Sequence, residues 1–204
     1  MKKLIALLLL TALVLGGCAA SPAAPIPNAA GVSVNLMANI TAKPVADASD
    51  TGSLSKAATD FSVALLKNAA ESGKTVVLSP YSVMQALGMT ANGAKGETLQ
   101  QLELALGMPI AELNKAFAAV QPDSAFQNAN ALWFRDDGSL EVSSDFLQAC
   151  ADYYGADAYA APFDESTRTD INQWISDHTD QRIPEMLKEF RSDAALYLVN
   201  ALCF

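Results

Sequence analysis

The amino-acid sequence predicts an α+β fold in which N-terminal helices pack on a central, partial β-sheet. Three observations carry this. Residues 53–120 place apolar side chains at helical spacing, punctuated by Ser, Pro and Gly. Three later runs, 126–134, 157–163 and 194–204, alternate in polarity or are continuously apolar, as strands are. Two of those runs share the pattern Asn-Ala-Leu-x-Phe, at Asn130–Phe134 and Asn200–Phe204. Five residues do not make a repeat, but they suggest two strands of one sheet in similar surroundings.

The chain opens on a targeting segment, residues 1–18. Lys2 and Lys3 form a basic head, and Leu4 to Leu15 an apolar core too short for a comfortable membrane span. Leu15-Gly16-Gly17-Cys18 resembles a bacterial lipobox, with small residues directly before a cysteine. That resemblance implies cleavage before Cys18, acylation of Cys18, and a protein exported and lipid-anchored to the outer face of a bacterial membrane. The alternative is a plain secretory signal with an incidental cysteine. Residues 19–54 read as a flexible tether rich in Ala, Pro and Ser. Val32 to Leu36 alternates briefly, but disorder is expected there.

The folded part is expected over 55–204. Its first helix starts at Ser53 or Ser55, with Leu54 at its beginning and Ala57, Phe61, Ala64, Leu65 and Asn68 on one face. Glu71–Lys74 is a turn. Thr75–Leu78 is β-branched and apolar, and reads as a buried strand. Ser79 is an N-cap candidate and Pro80 fits the first helical position. Val83, Leu87 and Ala91, flanked by Ala86 and Thr90, mark the expected inner face of that helix. Asn92-Gly93 offers a left-handed residue to end it.

A further helix spans Gly96–Leu106 on a Leu99, Leu102, Leu106 stripe, with Gly107 as the stop. Pro109 opens another, anchored by Leu113, Phe117 and Val120. Pro122-Asp123 turns into the strand 126–134, whose two faces both need cover. Arg135–Gly138 is a turn. Ser144 or Asp145 caps a helix carrying Phe146, Cys150 and Tyr153, and Gly155 ends it. After the strand 157–163 comes a helix with Ile171, Trp174, Ile175 and His178 on one face, then an irregular link at 183–187. Residues 194–204 are almost wholly apolar except Asn200 and belong in the middle of a covered sheet. A terminal carboxylate on such a strand is costly to bury, so the sequence is expected to be cut short relative to its fold.

Chemistry is scarce. The net charge of −9 becomes −11 once Lys2 and Lys3 leave with the leader, which argues against a nucleic-acid partner. The single histidine, His178, precedes Thr179-Asp180 but lies on an apolar helix face, and no Gly-x-Ser-x-Gly elbow is present. No metal-ligand spacing occurs, and no metal or cofactor is expected. Gly88-x-x-x-x-Gly93-Ala94-Lys95 misses a phosphate loop, because the lysine is one place late and no Ser or Thr follows it. Cys150 and Cys203 read as separately buried thiols. No enzyme is expected. The polar residues that stand out are Ser79, Ser82 and Asn200.

Leu78-Ser79-Pro80-Tyr81-Ser82, with Ala91-Asn92-Gly93-Ala94-Lys95-Gly96-Glu97-Thr98, resembles the N-terminal signature of serpins. Ala129–Phe134, Ile171–Ile175 with Ile183-Pro184, and Leu198–Phe204 agree with it, collinearly over about 55–204. The resemblance implies a serpin-like sheet, truncated before the reactive loop and C-terminal barrel, with no reactive site in this chain. It implies suicide inhibition of serine, or sometimes cysteine, proteases, in which the cleaved loop inserts as a new strand. It places Ser79, Ser82 and Asn200 beneath the main sheet where it opens, joined in the family by a later histidine. A chain lacking the loop is expected not to inhibit alone. Its open strand edge would instead favour strand capture from a partner, or self-association.

Overall fold

The computed structural model describes residues 32–46, 51–120 and 127–203. The signal segment with Cys18, the turn at Pro122-Asp123, Phe126 and Phe204 lie outside these. The first helix, α1 (Thr51–Ala69), begins earlier than Ser53 and buries Leu54 and Ala57. Phe61 and Leu65 are half-buried, while Ala64 and Asn68 stay exposed. Thr75–Leu78 is not a strand, and Val77 is 91% exposed. β-branched residues favour a pleated surface only where a neighbouring strand completes it, and no described strand lies alongside.

Helix α2 (Pro80–Gly93) is capped as its sequence suggests. Ser79 Oγ accepts from the Ser82 N–H at 3.3 Å, and Pro80 spends no donor. Its buried face is rotated from the expected one: Met84, Gln85, Gly88, Met89 and Ala91 are inside, Val83, Ala86 and Leu87 are half-buried, and Thr90 is exposed. The reason is that α2 packs against other helices and the sheet together, so its inner stripe is wide and includes a glutamine and a glycine. Gly93 does not take a left-handed conformation. It is small because a Cβ there would lie 3.2 Å from the Phe146 ring. The left-handed residue is Gly96, at φ 58°, where α3 (Gly96–Leu106) begins. Gly107, at φ 76°, stops α3 as expected. Helix α4 (Ile110–Ala119) buries Leu113, Asn114, Ala116 and Phe117.

Strand β2 (Gln127–Arg135) is covered on both faces. Leu132 and Phe134 enter a core shared with α1–α5, while Ala131 and Trp133 enter a second core under α6. Trp133 stacks on Tyr159 at 5.0 Å and meets Trp174 edge-on at 5.7 Å. Helix α5 (Ser144–Tyr154) is capped by Ser143, not Ser144 or Asp145, through Phe146 N–H at 3.2 Å. It buries Leu147, Cys150, Ala151 and Tyr154, leaving Phe146 and Tyr153 half-buried. This helix is the crossover that a parallel β2–β3 pair requires.

Strand β3 (Asp157–Ala161) is shorter than expected, because Pro162 has no N–H to give and Phe163 turns to φ 60°. Helix α6 (Glu165–Asp177) is capped by Asp164. His178 ends that helix with its ring stacked 3.9 Å over Trp174. Strand β4 (Leu196–Cys203) pairs antiparallel with β2.

The sheet order is β1-β3-β2-β4, so β4 is an edge strand among the described residues rather than a central one. Val199 and Ala201 are buried, Leu198, Asn200 and Leu202 are half-buried, and Leu196 is exposed. The shared Asn-Ala-Leu-x-Phe pattern does mark neighbours: Asn130 and Asn200 sit directly opposite.

The disorder expected at 32–36 is also overturned. β1 (Val34–Asn35) adds to β3, and Leu36 N–H donates to Ala158 O at 2.9 Å. Ser33 donates twice to the buried Asp170 carboxylate, at 3.1 and 2.7 Å. Lys43 N–H reaches Asp152 Oδ1 at 2.7 Å, and Gln148 donates to Thr41 O at 2.9 Å. An edge strand with open backbone groups and two carboxylates in reach supplies partners that composition does not reveal.

Cys150 and Cys203 are unpaired. Burial pushes the Cys150 thiol up to about 12. Cys203 is only half-buried, with Arg182 Nη1 2.7 Å from its sulfur.

Candidate sheet-opening site

Helix α2 brings Ser79 and Ser82 together by its own geometry. The cap residue and the residue three places on face the same side, and their hydroxyls lie 2.8 Å apart. One further turn along the same side stands Gln85, 3% exposed. Its Nε2 donates to Tyr81 OH at 3.2 Å, and its Oε1 points at the sheet.

Asn200 meets it there. The β2–β4 register sets Asn128, Asn130 and Asn200 on one face. Asn200 Nδ2 lies 2.9 Å from Gln85 Oε1, 2.7 Å from Asn128 Oδ1 and 2.8 Å from Asn130 Oδ1. An amide carries two hydrogens, so three acceptors share two donors. Asn200 Oδ1 is buried with no hydrogen-bond partner among the described residues. Asn130, 1% exposed, passes its own amide to Tyr154 O at 2.9 Å, which ties the cluster to the end of α5.

A second polar group backs the first. Tyr154 OH donates to Asn114 Oδ1 at 2.7 Å, and Asn92 and Asn114 exchange amide contacts at 2.8 and 3.0 Å. Burial holds the Tyr81 and Tyr154 hydroxyls above the usual phenol range, so both stay neutral. Gly88 is what lets Tyr154 in, since a Cβ there would stand 2.4 Å from its hydroxyl.

The structure thus brings Ser79 to Ser82, and Asn200 to α2. Among the described residues, no hydrogen bond joins either serine to Asn200, and Gln85 makes the link instead. Gln85, Asn128, Asn130 and Tyr154 were not singled out from the sequence. The signal was available for three of them. Gln85 follows Ser82 at helical spacing, and Asn128 and Asn130 share a strand face with period two. This set offers no chemistry of its own: it holds neither nucleophile–base pair nor metal-ligand group, and among the described residues no three His, Cys, Asp or Glu side chains gather to hold a metal.

The profile described as serpin, serine protease inhibitor, matches residues 56–204. The chain belongs to the serpin family. Serpins are protease inhibitors and related binding proteins rather than enzymes, as the names of the relatives reflect. Corticosteroid-binding globulin of Sus scrofa is 35% identical over 161 residues, covering 71% of this chain and 39% of that protein. The leukocyte elastase inhibitor of Xenopus tropicalis is 33% identical, covering 74% of this chain and 44% of that protein. The native structure of the thermophilic serpin tengpin matches with a TM-score of 0.76 and 38% identity, over 83% of this chain and 46% of that one. A loop C-sheet serpin polymer matches with a TM-score of 0.72 and 38% identity, over 80% of this chain and 46% of that one. The chain therefore spans less than half the length of the serpins it resembles.

Proposed function

We propose that residues 55–204 provide the sheet and the sheet-opening site of a serine, or cysteine, protease inhibitor that acts by strand insertion. The observation that carries this is the outer edge of β4, which pairs with β2 on one side and with no described strand on the other. Asn200 lies on that strand, and its buried Oδ1, without a partner among the described residues, is where a further donor belongs. In this reading Ser79, Ser82 and Asn200 hold the sheet until it opens, and a histidine from the later part of the family fold supplies the missing donor. The bond that a protease attacks lies towards the C-terminus of the family fold, beyond the matched stretch.

Two measurements test it. A synthetic peptide with the sequence of a serpin reactive loop should add to β4 and raise the melting temperature. At a hundredfold excess over Kd the linkage is worth about 2.7 kcal/mol, which for a domain of this size is roughly 5–11 °C. No shift would sink the reading. Mixed with trypsin or subtilisin, the 204-residue chain alone should give no SDS-resistant complex; such a complex would show that it carries its own bait.

A second reading rests on the same edge: a membrane-tethered fragment that captures a strand from a partner or from its own copies. Concentration-dependent oligomers that the peptide disperses would favour it.

The N-terminal pattern supports a further proposal, that Cys18 carries lipid on the outer face of a bacterial membrane and that the stretch between it and the docked Ser33 is the tether. A Cys18→Ala variant should move from the membrane fraction to the soluble one. Retention in the membrane fraction would refute the anchor.

A further inference from the structure

A cavity of about 270 Å³ opens behind the amide cluster, lined by α2, the end of α4, the start of β2 and the end of α5. We propose that it binds the ammonium head of a lysine-sized alkylamine.

Two helix ends set the charge of this space. Both α4, through Phe117, Ala118 and Val120, and α5, through Ala151 to Tyr154, present their C-terminal turns to it. The last carbonyls of a helix have no intrahelical partner and carry the negative end of its dipole. At α5, Gly155 and Ala156 N–H close the Ala151 and Cys150 carbonyls, leaving those of Asp152 and Tyr153 beyond the helical ladder. Neither helix has a basic residue in its last turn, and among the described residues no Lys, Arg or His lines the cavity. Two negative helix ends therefore face one space without a described cation to balance them.

The walls suit the same charge. Asp152 adds a carboxylate; its Oδ1 is taken by Lys43 N–H and Gln148 Nε2, which fixes the side chain in place. Tyr81, Phe117, Tyr153 and Tyr154 supply aromatic rings, whose faces attract ammonium ions. Gln85 and Asn128 also line the space, their amide oxygens already accepting from Asn200. An anion would meet carbonyls, a carboxylate and ring faces together. A neutral apolar group would leave the carbonyls unpaired. An alkylamine satisfies both the polar and the aromatic parts.

The probe is n-butylammonium chloride, titrated into the ¹⁵N-labelled full chain. The expected result is saturable shifts at the Gln85 and Asn128 side-chain amides and at the Tyr153–Gly155 backbone, with a Kd of roughly 1–10 mM. Butanol and butyrate at matched ionic strength should bind at least about tenfold more weakly, a gap of about 1.4 kcal/mol. Asp152→Asn should weaken binding severalfold. Because Asp152 also holds Lys43, Tyr153→Leu provides a second variant with the same expectation. Equal shifts with butanol, or unsaturated shifts spread over surface carboxylates, would overturn the proposal. Nα-acetyl-lysine amide separates the sources. If it binds as butylammonium does, a lysine side chain of a protein fits the site; if only the free amine binds, the ligand is a small amine.

Discussion

Gly88→Ala should destabilise the fold by about 3 kcal/mol, the upper end of what overpacking costs. The added Cβ would stand 2.4 Å from Tyr154 OH, 3.1 Å from Tyr154 Cζ and 3.2 Å from Leu113 Cδ2. None of these can yield easily. The tyrosine ring is rigid, packed 5.6 Å from the Phe117 ring, and its hydroxyl is bound to Asn114. Helix propensity favours alanine over glycine by about 1 kcal/mol, so a loss of this size must come from the clash. Tyr154→Phe removes the nearest atom and should cost about 1 kcal/mol alone, because Asn92 still donates to Asn114 Oδ1. The double variant should then be more stable than the sum of the two losses by more than about 1 kcal/mol. Urea unfolding measures all three. A Gly88→Ala midpoint within error of the parent would mean that α2 and α5 are not packed as described.

Asn200→Ala should cost about 3 kcal/mol by a different route. It strips a donor from Gln85 Oε1, Asn128 Oδ1 and Asn130 Oδ1, two of them on buried residues. Each buried acceptor left alone costs about 1–3 kcal/mol, and one is regained because the orphaned Asn200 Oδ1 disappears as well. Ser79→Ala, which loses the helix cap and the hydroxyl contact to Ser82 but nothing on β4, should cost about 1 kcal/mol. The difference between these two separates a cluster that clamps β4 to α2 from one that merely starts a helix. If both variants unfold at the same urea concentration, Gln85 and Asn200 are not coupled.

The helices were legible because their boundaries are chemical. Ser79-Pro80, Gly107 and Gly155 cap or stop helices through atoms that the residue types alone identify. The inward faces were less so. Val83 and Leu87 outrank Gln85 and Gly88 in hydrophobicity, yet the interior takes the glutamine because Asn200 binds it and the glycine because Tyr154 needs the room. Both reasons lie more than sixty residues away along the chain.

Strand pairing shows the same limit. The Asn-Ala-Leu-x-Phe pattern exposed the β2–β4 neighbourhood, since similar surroundings select similar residues. It could not say that β4 would be an edge among the described residues. Thr75–Leu78 has strand-like residues without a described strand beside it, and Val34–Asn35 has ordinary residues with one. Partner availability decides both. Of the candidate site, the sequence yielded its two serines and Asn200, while Gln85, the residue that ties Asn200 to α2, emerged from packing.

Strand β1 must join the fold late. Val34 and Ala160 are about 125 residues apart, and closing a loop of that length in an unfolded chain costs about 4 kcal/mol. Once α1 and β3 are in place, only about 15 residues separate Asn35 from Thr51, and the cost falls to about 2.4 kcal/mol. Two residues of pairing cannot offset the larger figure, so β1 docks after the body has folded. By the same reasoning it is the first strand to leave. Amide hydrogens at Ser33 and Leu36 should exchange with solvent well before those of β2, reporting a small opening that the rest of the sheet does not share.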